Sequence, residues 1–160
     1  MDGEMLRTLL LEHDPNEIFE TRLELEPSMA ALAAERATDE ERQKLGAQAV
    51  KLRALAERIL AEGHPEAVIE EYMEEDRKFH LEIGRCAHNN VLFTVFSGVN
   101  LMMKETDWKA VKSRGLAVKG NVMAYAEEHE AILTAILKKD SRGTHREAKK
   151  HIKMLKKTLF

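Results

Sequence analysis

The chain has 160 residues, 25 basic and 28 acidic side chains for a formal charge of −3, and one cysteine, Cys86. This length suits one domain with its own core, and the interleaved charge gives no reason to expect a nucleic-acid surface. A lone cysteine excludes an internal disulfide framework and fits a reducing cytoplasm.

Residues 1–15 read as an N-terminal remnant or linker, and 16–160 as a single helical domain. Met1 to Leu11 sets acidic residues before only three leucines, so no signal peptide is expected. No stretch approaches the roughly 18 apolar residues of a membrane span. Asp14-Pro15-Asn16-Glu17 supplies an N-cap, a proline at the first helical position and a glutamate two residues on, opening a helix to about Ala37. Pro27 falls inside it and is expected to kink it. Thr38 with Glu41 forms a capping box for a second helix ending at Gly63. His64-Pro65 starts a third, which the pair Asn89-Asn90 is expected to terminate. A fourth, from Val91 to about Glu105, is the most hydrophobic stretch and is expected to be central. Residues 107–118 suit a short helix or loop. A fifth long helix runs from about Lys119 to Lys138, and the last from about Asp140 or Thr144 to Leu159. No strand alternation, repeat or inter-domain linker appears, so the fold class is all-α.

Polar residues intrude on three apolar stripes. Positions 69, 73, 76, 80, 83 and 87 alternate steps of four and three and line one helix face. Two of those positions are Asp76 and His80, among Ile69, Met73, Ile83 and Ala87. His129 lies in the stripe Val122, Tyr125, Ala126, Ile132, Leu133 and Ile136, and His151 lies beside Ala148, Ile152, Leu155 and Leu159. Burying each without a partner costs roughly 2–7 kcal/mol, and a shared partner removes that cost for all four. Asp at i and His at i+4 project from one face about 6 Å apart, within reach of one ion, and a bundle can aim ligands from further helices at the same point. One carboxylate and three imidazoles suit a divalent transition metal; zinc, nickel and manganese all accept such a set. Singly, each residue has a plainer reading: a hydrogen-bonded core histidine, or an Asp76 that caps a helix or pairs with Arg22. His145 competes for the last ligand place. His13, His64 and His88 sit at element ends and suit surface or capping roles.

Other chemistry is absent from the pattern. There is no glycine-rich phosphate loop, nucleophile elbow or CxxC pair, and His129-Glu130 lacks the second histidine of a zinc-protease helix. Cys86 reads as a small core filler. Lys149, Lys150, Lys153, Lys156 and Lys157 crowd the last helix and read as a solvated face favoured by the helix dipole.

These segments together resemble a known family. Phe19 to Pro27, with Arg22 and Glu26, running into Ala30 to Glu35, is similar to the opening helix of the effector-binding C-terminal (FCD) domain of FadR-type GntR transcriptional regulators. The run Asp76 to Ile83 followed by Ala87 to Leu92 is similar too, as are Glu128 to Leu133, Ala135-Ile136 with Asp140, and Ala148 with His151. The resemblance implies an antiparallel bundle of six to seven helices with an interior metal held by Asp76, His80, His129 and His151, which favours His151 over His145. It also implies a small organic acid bound in the same cavity, with Arg22 as an effector-binding residue whose planar fork suits a carboxylate; a salt bridge from Arg22 to Asp76 or a glutamate is the alternative. A homodimer is implied as well. Full regulators carry a winged helix-turn-helix ahead of this domain, and this sequence as it stands lacks one, as either a truncated piece or a standalone sensor.

The leading expectation is a cytoplasmic, non-enzymatic ligand-sensing domain in which a small carboxylate metabolite binds a His3Asp metal site. DNA would be read only through the missing winged helix-turn-helix, and no membrane is involved. The alternatives are a small all-α metalloenzyme, hydrolytic or oxidative, using the same metal, and a purely structural metal site.

Overall fold

The computed structural model describes residues 13–103, 113–118 and 120–159. Six long helices occupy them: α1 (Pro15–Arg36), α2 (Asp39–Ala61), α3 (Glu66–Cys86), α4 (Asn90–Met102), α5 (Asn121–Leu137) and α6 (Ser141–Leu159). Residues 113–117 add one short helical segment, and no strand occurs among the described residues.

The boundaries follow local chemistry. Asp14 caps α1 by accepting the Asn16 N–H at 2.9 Å, with Pro15 at the first helical position. Pro27 does not end α1, which continues to Arg36. The Thr38 hydroxyl accepts the Glu41 N–H at 3.2 Å while the Glu41 carboxylate accepts the Thr38 N–H at 2.8 Å, closing the expected capping box on α2. Helix α2 stops where Gly63 takes φ 74°, a conformation that costs glycine least. Asp140 precedes α6, and its carboxylate accepts the Gly143 N–H at 2.9 Å.

Two expectations need correction. The pair Asn89-Asn90 does not terminate α3. That helix ends at Cys86, the chain reverses through His88 at φ 47°, and Asn89 caps the next helix by accepting the Leu92 N–H at 3.0 Å. Asparagine serves a helix start as readily as a stop, so the pair alone did not fix its role. Nor is α4 central. Only Phe96, Val99 and Asn100 of that helix are buried, whereas Val91 is 77% exposed and Val95 50%. Apolar residues run all round α4, and among the described residues it packs on α1 and α3. Of the expected segment 107–118, residues 107–112 lie outside the described residues and 113–117 are helical.

The bundle interior lies among α1, α3, α5 and α6, with α2 packed on α3 and α5. Gly84 lets α3 approach closely: a Cβ there would lie 3.0 Å from Met29 Sδ and 3.1 Å from a Phe93 ring carbon. Leu45, Leu52, Ala56 and Ile59 of α2 are wholly buried and form a dry apolar layer. The interior face of the other four helices is different in kind.

Candidate metal centre

Helix α3 presents Asp76 and His80 one turn apart on its buried face; α5 supplies His129 and α6 supplies His151. All four are buried, and each offers a ligand atom within 4.8 Å of the others. Bonds of about 2.0–2.2 Å put opposite donors of one ion up to about 4.4 Å apart, so a contraction of a few tenths of an ångström would bring all four into one shell. Asp76 Oδ1 lies 3.0 Å from His129 Nε2 and 3.7 Å from His80 Nε2. The His80 and His151 rings stack, with centroids 5.3 Å apart and planes inclined by 16°.

The other ring nitrogen of two of these histidines is already engaged. His80 Nδ1 lies 2.8 Å from Glu26 Oε2 and His151 Nδ1 lies 2.7 Å from Glu128 Oε2, each hydrogen-bonded to its carboxylate. Glu26 reaches in from α1 and is also ion-paired with Arg22 Nε. The Nε2 atoms of His80 and His151 are buried with no hydrogen-bond partner. Two buried ring nitrogens without hydrogen-bond partners, beside a carboxylate and a third imidazole, fit a metal ion.

Electrostatics agree. Burial pushes the Glu26 carboxyl up, but Arg22 and His80 outweigh it and hold the group at about 2, so it is ionised. Burial, with His129 and His80 adding to it, pushes His151 well below the ordinary imidazole range, leaving the ring in the neutral form a metal needs. Burial raises Glu128 to about 7, against the opposing pull of Lys150. Tyr72, one turn before Asp76, is wholly buried, and its hydroxyl has no hydrogen-bond partner.

Sequence-expected residues fall into place unevenly. Asp76, His80, His129 and His151 come together; His145 does not, and lines an open groove on the surface of α6 with Lys149 and Lys153. Arg22 is buried and pairs with Glu26, the glutamate alternative rather than Asp76, and its Nη1 has no hydrogen-bond partner. His88 pairs with Glu41 at 3.0 Å on the surface. Cys86 is buried, and its thiol is pushed up to about 12 by that burial, as suits a core filler. Glu26 and Glu128 were not singled out as site residues from sequence. The available signal was Glu26 standing at i+4 from a buried arginine and Glu128 standing between Tyr125 and Ile132 on a core stripe. Beside the histidines lies a cavity of about 10 Å³ between Glu26, Met29, Ile83 and Ile132. That is room for about one water.

A family model described as the FCD domain matches residues 17–154. The chain belongs to the FCD domain family. Among solved structures, this FCD domain is similar to Streptococcus agalactiae GntR, with a TM-score of 0.65 and 25% identity over 88% of this chain. It is also similar in fold to E. coli McbR/YncC, with a TM-score of 0.72 and 20% identity over 98% of this chain and 81% of that one. The chain spans 57% of the S. agalactiae protein. No curated protein sequence matches it. FCD domains of this kind are regulatory domains of GntR-type regulators, and no described helix of this one is long and apolar enough to cross a membrane.

Proposed function

We propose that this FCD domain senses a small organic acid through a divalent transition metal held by Asp76, His80, His129 and His151. The observation that carries the reading is the pair of buried Nε2 atoms of His80 and His151, aimed into the cluster and without a hydrogen-bond partner. Such nitrogens are expensive to bury unless something accepts their lone pairs. When bound, a divalent ion would supply the positive charge that attracts a carboxylate into an otherwise water-poor interior. Zinc, nickel and manganese all suit the donor set.

The chain's own residues do the rest. Arg22 has one guanidinium nitrogen engaged by Glu26 and Nη1 still available, so it can hold an acid group without abandoning its ion pair. The cavity of about 10 Å³ is too small for even a short organic acid, so ligand entry must spread the helices that wall it. Those walls come from α1, α3, α5 and α6, which makes occupancy of the site a change in helix packing. In a cytoplasmic homodimer that change would alter the spacing of winged helix-turn-helix domains joined to this one, and it needs no turnover of the ligand.

Calorimetric titration of the zinc-loaded protein with mono-, di- and hydroxy-carboxylates tests this. At least one acid is expected to bind wild type and not the Asp76→Ala variant. Metal-independent binding across a broad panel, no binding at all, or steady conversion of a bound acid would overturn the sensor reading.

A further inference from the structure

We propose that Glu26 and Glu128 are positioning residues of the centre, each accepting the Nδ1–H of one imidazole so that His80 and His151 offer Nε2 to the ion. The inference rests on the metal reading above and adds residues to it. A neutral imidazole carries one proton, and the nitrogen that donates it leaves the other as the ligand atom. Glu26 fixes that choice for His80 at 2.8 Å and Glu128 fixes it for His151 at 2.7 Å. In both rings the nitrogen left over is the one that is buried without a partner. Two rings on two helices, oriented by two carboxylates from two other places in the fold, show the same arrangement.

The consequence is a centre built by more than its ligands. Glu26 comes from α1, which contributes no ligand, so all four inner helices are tied to the site. Glu26 also divides its two oxygens between Arg22 and His80. An acid that draws on Arg22 therefore acts on the same carboxylate that holds a metal ligand, and Glu26 links the acid-binding group to the metal. Carboxylates behind ligating histidines set ring orientation and raise ligand basicity, and losing one commonly weakens metal binding about 10–100-fold.

The test is competition titration of zinc against a chromophoric chelator for wild type, Glu26→Gln, Glu128→Gln and Glu128→Ala, each first confirmed as folded by circular dichroism. Each variant is expected to bind zinc about 10–100-fold more weakly, with Glu128→Ala affected at least as much as Glu128→Gln. Glu128→Gln is the safeguard if Glu26→Gln, which also strips Arg22 of its partner, does not fold. Long-range proton–nitrogen correlation spectra of the zinc-loaded wild type should show Nδ1 protonated and Nε2 ligating in both His80 and His151, with that pattern lost at His151 alone in Glu128→Ala. Zinc affinity unchanged in the Glu128 variants, or ligation through Nδ1, overturns the assignment while leaving the metal centre intact. A wild-type protein that takes up no zinc overturns both.

Discussion

The two sides of α3 and α5 are packed on opposite principles. Toward α2 they meet Leu45, Leu52, Ala56 and Ile59, four side chains that need no polar partner, edged by the ion pairs Lys44–Glu82 and Arg53–Glu130. Toward α1 and α6 they bury Asp76, His80, Glu26, Arg22, His129 and His151 at 4% exposure or less. The first layer gains free energy from every apolar area it removes from water. The second gains little on its own, because each buried polar group must recover its lost hydration from a neighbour. One half of the molecule therefore supplies stability without conditions, and in the proposed reading the other supplies a response.

The largest test of that division is on the apolar side. Leu52→Ala should cost about 2–5 kcal/mol, the usual range for a buried leucine, and should cost the same in metal-loaded and metal-stripped protein, measured by urea unfolding. A loss that depends on metal would erase the distinction between the layers. On the polar side, His129→Ala should lower the melting temperature of the loaded protein clearly more than that of the stripped protein. An ion that binds only the native state stabilises by about 2.7 kcal/mol at a hundredfold excess over its dissociation constant, and the variant forfeits most of that. Equal losses in both forms would make His129 an ordinary core histidine.

Acid sharpens the contrast further. In stripped protein, Glu26 titrates at about 2 against an ordinary 4.5, because Arg22 and His80 outweigh its burial. Its folded value is the lower one, so its stabilisation is full above pH 4.5 and is lost as pH falls through about 2. His151, held below 6.5, acts in the same sense, losing stability as pH falls from 6.5. Glu128, raised from 4.5 to about 7, acts in the opposite sense between those values, so the clear fall in urea midpoints of the stripped protein is expected below pH 4.5. Glu26→Gln should flatten that part; an unchanged slope would contradict the Arg22–Glu26–His80 arrangement. The smallest effect belongs to neither layer. Thr38→Ala removes the α2 cap and should cost about 1 kcal/mol with or without metal, as read by thermal melting.

The layers were unequally legible in the sequence. Helix starts were plain wherever a side chain must satisfy a backbone N–H, as at Asp14 and Thr38. The four clustered residues were visible because a carboxylate and imidazoles broke apolar stripes of helical period. Glu26 and Glu128 were not singled out, since a glutamate four residues from an arginine, or one beside Glu127, looks like an ordinary solvated face until the helix has neighbours. The misplacement of α4 has the same origin. Composition reports how apolar a helix is, but the packing of Phe96 and Val99, with Val91 and Val95 left outside, depends on where α1 and α3 lie.

The central claim is most directly tested by native mass spectrometry with elemental analysis of protein purified without chelators. One divalent transition ion per chain, retained by wild type and absent from Asp76→Ala, is the predicted result. Wild-type protein that holds no ion, and takes up none when zinc, nickel or manganese is supplied, would contradict it.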